Sequence, residues 1–123
     1  MLRIHKRNLD NVAVFCLEGR IVNGETEDLR AAIYSQSNTR TIVLDLSRVS
    51  AIDASGLGLL LELRRYAQSQ GIHFKLMRVT NMVRRVFEVT RLDSVFEVIP
   101  RVERTPAIAR SRSASMFGLA PCA

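Results

Sequence analysis

The sequence contains no tryptophan, only two cysteines and two histidines, and no apolar stretch near the roughly 20 residues that a membrane-crossing helix requires. No membrane insertion is therefore expected. Cys16 and Cys122 are too few for a disulfide scaffold or a zinc site, and Cys16, inside an apolar run, reads as a small core residue. Met1, Arg3, Lys6 and Arg7 open the chain without an apolar segment behind them, so no secretory signal is seen and a cytoplasmic location is expected. What is present is an ordinary globular mixture, 47% hydrophobic and 24% charged over 123 residues, enough for one domain.

The formal charge of +6 divides evenly. Four arginines (Arg101, Arg104, Arg110, Arg112) against Glu103 give residues 101–123 a net +3, and residues 1–100 carry the other +3. The body has neither a Lys/Arg run nor interleaved aromatics, so nucleic-acid binding is not expected of it. A weaker alternative gives that role to the Arg/Ser/Ala-rich tail, residues 101–123, which has no clear period and is expected to be mobile.

Residues 11–18 alternate Val12, Val14 and Cys16 with Ala13, Phe15 and Leu17, a strand buried on both faces for most of its length. Arg3, Ile4 and His5 can pair with it through the turn-forming residues 8–11. Leu29, Ala32 and Ile33 are spaced as a helix face with Glu25, Glu27 and Asp28 near its start, where acids complement the helix dipole. Residues 41–46 read as a central strand and 47–52 as a loop. Leu57, Leu60, Leu61, Leu63 and Ala67 form a longer helix ending before Gly71. A strand at 73–77, a helix from Thr80 or Asn81 through Val83, Val86 and Phe87, and a last strand or turn at 95–99 follow. The order β-β-α-β-α-β-α-β predicts an α/β domain, with a mixed, mostly parallel central sheet and helices mainly on one face.

Ser55 lies just before the longer helix. In its plainest role it is the N-cap, its hydroxyl accepting a first-turn N–H. A hydroxyl at a helix N-terminus is also an apt phosphoacceptor, because a charge of about −1.5 to −2 would face unpaired N–H groups and the positive dipole end. Gly56 reads as a tight entry into the helix and Gly58 as a point of close packing on a strand. The pair lacks the third glycine of a dinucleotide fingerprint, and no Gly-Lys-Ser/Thr follows. Asp53, not glycine, precedes Ser55 by two residues, so there is no nucleophile elbow. His5 and His73 cannot be placed against it, and Asp45 and Asp53 are single carboxylates. No catalytic residue, metal site or cofactor is expected. Arg64, Arg65, Arg84 and Arg85 read as solvated faces, with Arg78, Asn81 and Arg85 a candidate extension of a binding surface.

Ile42-Val43-Leu44-Asp45-Leu46, then Ile52-Asp53-Ala54-Ser55-Gly56-Leu57-Gly58, then Gly71-Ile72 and a strand, resemble the STAS domain of bacterial anti-sigma factor antagonists. Leu17-Glu18-Gly19-Arg20-Ile21 and the spacing of Val83, Phe87 and Leu92 extend the likeness over residues 3 to about 99. The resemblance implies a STAS domain over residues 1–100, followed by the tail. In that family an Asp-Ser-Ser-Gly or Asp-Ser-Thr-Gly motif carries the phosphorylated hydroxyl just before glycine, which maps onto Ser55. Asp53 matches the acidic residue, and Ala54 replaces the commoner second hydroxyl. The implied function is partner switching by a non-enzyme: unphosphorylated, the domain binds an anti-sigma factor through Asp53, Ala54, Ser55, Gly56 and Leu57. That factor's serine kinase activity breaks the complex, and a serine phosphatase restores it. The alternative is a constitutive binding subunit of a stressosome-like or phospholipid-transport complex, in which Ser55 is only a helix cap.

Overall fold

A computed structural model describes residues 2–99. The expectations for the tail, residues 101–123, lie outside the described residues. The chain opens with a hairpin of β1 (Arg3–Leu9) and β2 (Val12–Ile21), paired antiparallel from Arg3 with Glu18 to Leu9 with Val12. Asp10 turns the hairpin at φ 56°, a left-handed conformation that aspartate tolerates better than most residues. There follow α1 (Glu27–Tyr34), β3 (Thr41–Ile52), α2 (Ala54–Ser69), β4 (His73–Met77), α3 (Asn81–Val89) and the short β5 (Glu97–Val98). The five strands lie in sequence order, and every pair after the hairpin is parallel.

The alternation seen in the sequence sorts the two faces of the sheet. Phe15 and Leu17 of β2, Ile42, Leu44 and Leu46 of β3, and Phe74 and Leu76 of β4 share one core with the helices. Leu29 and Ile33 of α1, Leu60, Leu63 and Ala67 of α2, and Val83 and Phe87 of α3 all pack into it. The opposite face holds a smaller cluster of Val43 and Met77 with Val12, Val14 and Ile99. Cys16 is buried, but as a disulfide-bonded cysteine rather than simply the small core residue expected. The α/β architecture with helices mainly on one face is thus the one expected.

Two features fix where the helices start and stop. β2, β3 and β4 run parallel, so the segments leaving their C-terminal ends deliver the starts of α1, α2 and α3 to one edge of the sheet, where α/β folds commonly place their sites. At the far end of α2, Gly71 takes φ 71°, its N–H donates to the Gln68 carbonyl at 3.1 Å, and the Ile72 N–H donates to Ala67 at 2.8 Å. This is the paired-bond helix stop that a glycine makes sterically free.

One expectation fails. Residues 47–52 are not a loop but the second half of β3, because β2 continues alongside them: Glu18 pairs with Arg48 and Ile21 with Ile52. The register shifts twice on the way, between Cys16 and Glu18 and between Gly19 and Arg20, and each time β3 carries an extra residue. At the first shift Asp45 accepts the Ser47 N–H at 2.9 Å, and Ser50 donates its hydroxyl to the Gly19 carbonyl at 3.2 Å farther on. Polar side chains that look like loop composition are here the exposed positions of a bulged strand.

Candidate functional site

The start of α2 is built by Asp53 and Gly56. Asp53 is extended (φ −115°, ψ −172°), and its Oδ1 accepts the Gly56 N–H at 2.9 Å, so Asp53 is the N-cap. Its Oδ2 accepts the Asn23 N–H at 3.0 Å, tying the loop after β2 to the same helix end. The backbone N–H of Asn23 foremost, then that of Gly56, hold the Asp53 carboxyl below the usual aspartate range, since both bonds favour the charged form. Gly56 is required by contact: a Cβ there would lie 1.9 Å from the Ile21 carbonyl oxygen. The first turn of α2 is therefore seated directly on the end of β2.

Ser55 is consequently not the cap. It is the second residue of α2, already helical, and the cap oxygen must come from the extended residue preceding the helix. Its side chain is exposed, and among the described residues its hydroxyl makes no hydrogen bond. Asp53 and Ala54 are exposed beside it. Gly56 is buried and Leu57, 8% exposed, belongs to the core, so these two support the surface from beneath. Gly58 is exposed, and a Cβ added there would meet nothing within 4 Å, which removes the close packing expected of it.

The remaining candidates do not converge on Ser55. His73 begins β4, at the end of the sheet opposite the start of α2, and His5 pairs with Cys16 within the hairpin. Asp45 is 1% exposed inside β3, with the Arg78 Nε 4.0 Å from its carboxylate. Among the described residues no group of His, Cys, Asp or Glu is arranged to hold a metal. Arg65, Arg84 and Arg85 are exposed, Arg64 is half-buried, and Arg78, Asn81 and Arg85 are exposed around the start of α3. One contributor carries little sequence signal: Asn23 acts through its backbone N–H, which every residue but proline has.

Fold and site together define a class: a small α/β domain presenting, on a helix capped by Asp53, an exposed serine whose hydroxyl bonds no described residue. The STAS domain family model matches residues 3–105, and the chain belongs to that family. A Bordetella bronchiseptica protein named as an anti-sigma factor antagonist, BtrV, is 31% identical over 100 residues, covering 79% of this chain and 85% of its own. The fold is shared with an anti-sigma factor antagonist from Mycobacterium paratuberculosis (TM-score 0.70, 23% identity, 91% of this chain and 93% of that one). It is shared also with the Bacillus cell fate determinant SpoIIAA in its phosphorylated form (TM-score 0.63, 24% identity, 89% and 100%). No helix among the described residues is long and apolar enough to cross a membrane.

Proposed function

We propose that this chain is an anti-sigma factor antagonist whose binding is controlled by phosphorylation of Ser55. The observation that carries the reading is the division of labour at the start of α2: Asp53 caps the helix, leaving the Ser55 hydroxyl exposed and without a bond to any described residue. A phosphate there would add charge beside the positive end of a 16-residue helix, where an anion is tolerated. A protein docked over the same surface would have to desolvate that anion beside the Asp53 carboxylate, which is costly. The scaffold therefore survives the modification and the complex does not. A relative named as an anti-sigma factor antagonist, and a fold shared with a protein solved in a phosphorylated form, support the reading.

In this account the domain is a binding module and a kinase substrate, not an enzyme. Its partners are an anti-sigma factor with serine kinase activity and a serine phosphatase that reverses the modification. Incubation with the cognate anti-sigma kinase and ATP adds one phosphate, located at Ser55 by mass spectrometry, and Ser55→Ala abolishes it. Ser55→Asp weakens the complex in calorimetric titration while the circular dichroism spectrum is retained. Phosphate at another residue overturns the assignment, as does unchanged affinity of the phosphorylated chain. Protein from cells that carries no phosphate under any growth condition would instead favour constitutive binding within a larger complex.

A further inference from the structure

The loop that joins β2 to α1 holds the sequence's only Asn-Gly pair, Asn23-Gly24. Asn8, Asn11, Asn38 and Asn81 are followed by Leu9, Val12, Thr39 and Met82, whose side chains hinder the main-chain nitrogen that a neighbouring amide could meet. Both members of the pair are exposed. The Glu25 N–H donates to the Val22 carbonyl at 2.9 Å, closing a turn in which Gly24 takes φ 90°, a conformation that favours glycine. Among the described residues the Asn23 side-chain amide and the Gly24 N–H make no hydrogen bond. A Cβ placed on Gly24 would meet nothing within 4 Å, so no packing screens that nitrogen. What holds Asn23 is the bond from its own N–H to Asp53 Oδ2 at 3.0 Å.

An unbonded side-chain amide followed by an unhindered peptide nitrogen sets an electrophile beside a nucleophile. We propose that Asn23 is a site of spontaneous deamidation, restrained by its bond to Asp53, and that the product loosens the start of α2. The Gly24 nitrogen attacks Asn23 Cγ and gives up its proton. The N–Cγ bond forms, the Cγ–Nδ2 bond breaks, and Nδ2 leaves with that proton as ammonia. Water then opens the succinimide ring. Hydrolysis at Cγ leaves aspartate, and hydrolysis at the main-chain carbonyl leaves isoaspartate, whose backbone runs through Cβ and Cγ. Closing the ring requires Asn23 to turn about its Cα–C bond, which the Asp53 bond and the turn resist, so local opening of the loop sets the rate. Either product adds a carboxylate to a place that already holds Asp53, Glu25, Glu27 and Asp28. The nearby cations are engaged, Arg20 with Glu25 at 3.3 Å and Arg30 with Glu27 at 2.6 Å. Like charges then oppose the tie between Asn23 and Asp53. On the partner-switching reading this anion would weaken docking without a kinase, but the chemical assignment does not rest on that reading.

The test needs no partner. The full-length chain, fresh and after ageing in neutral buffer at physiological temperature, is digested with trypsin, and the peptide of residues 21–30 is sequenced by electron-transfer fragmentation. Ageing is expected to exchange NH2 for OH at Asn23 before any other asparagine, with isoaspartate the larger product. The aged chain should also accept a methyl group from an isoaspartate methyltransferase. Asn23→Gln, which keeps the backbone N–H, should stay unmodified over the same period. Asp53→Ala, which frees the loop, should form the product about fivefold faster. Should that variant fail to fold, the unaltered chain held in denaturant, where the Asp53 bond is absent, must react faster than the folded chain. The aged chain should melt at a lower Tm than the fresh one, by no more than Asp53→Ala does, since both loosen the same tie. The proposal is overturned by an intact Asn23 after ageing, by earlier modification of Asn8, Asn11, Asn38 or Asn81, by equal rates with the loop held and freed, or by an aged chain with an unchanged Tm.

Discussion

Helices α1 and α2 leave the same edge of the sheet, yet their first turns solve the problem of a helix start differently. In α1 the residue before the helix, Thr26, makes no side-chain cap bond, and Glu27 and Asp28 place fixed negative charge in the first turn. In α2 the cap is made by Asp53, the first turn holds no acid, and Gly56 brings the backbone against β2. The second helical residues make the contrast plain: Asp28 in α1, Ser55 in α2 and Met82 in α3. Only the middle helix carries there a group that can acquire charge. A start held by geometry leaves its electrostatic complement open to regulation, whereas one already complemented by acids does not.

The most damaging way to test that contrast is Gly56→Ala. The new methyl group would meet the Ile21 carbonyl oxygen, a backbone atom fixed by the sheet, and neither side can yield cheaply. We expect a loss of about 3 kcal/mol or more in chemical denaturation. A loss under about 1 kcal/mol would mean that the helix start is not seated on β2 as described. Next in size is Asp53→Ala, which removes both the cap and the tie to Asn23 and should lower Tm by roughly 4–8 °C. The pH dependence sharpens it. Because the folded carboxyl is held below its ordinary value of about 3.9, its stabilisation is complete above that pH and is lost as pH falls through the lower folded value. The stability gap between the unaltered chain and Asp53→Asn should accordingly be constant above about pH 5 and narrow in acid. A smaller effect of opposite sign belongs to Gly58→Ala. Open space around the new methyl group and a helical backbone predict a gain of about 0.5–1 kcal/mol.

Part of this site is legible in the residues alone. Apolar spacing locates α2, Gly71 marks its end, and the Asp-Ala-Ser-Gly run marks its beginning. The cap itself is not legible, because aspartate and serine are both good caps and the choice turns on which residue keeps an extended backbone. Asp53 does, because its N–H still reaches the Ile21 carbonyl at 3.4 Å along the course of β3. That strand is in turn hidden past Leu46, since its bulges put polar residues where alternation leads one to look for apolar ones. The exposed place of Gly58 is hidden for a related reason. Next to a glycine that must be small, a second glycine suggests the same constraint, but it lies two residues, about 200°, around the helix and faces solvent. Contacts made by one backbone to another chain segment, such as the Asn23 N–H to Asp53, leave no mark in residue type.

The smallest expected effect discriminates most sharply. If Ser55 were the cap, Ser55→Ala would cost about 1 kcal/mol, as other cap deletions do. With Asp53 in that role the removed oxygen is exposed and bonds no described residue, so stability should change by less than about 0.5 kcal/mol. The pair of alanine variants at Asp53 and Ser55 thus separates the structural residue from the regulatory one: the first should lower Tm, the second should leave Tm unchanged and remove only phosphate acceptance. Equal destabilisation by both would place the serine in the helix-capping network. A phosphate added there would then compete with the bonds that start α2, and the domain could not carry the modification with its fold intact.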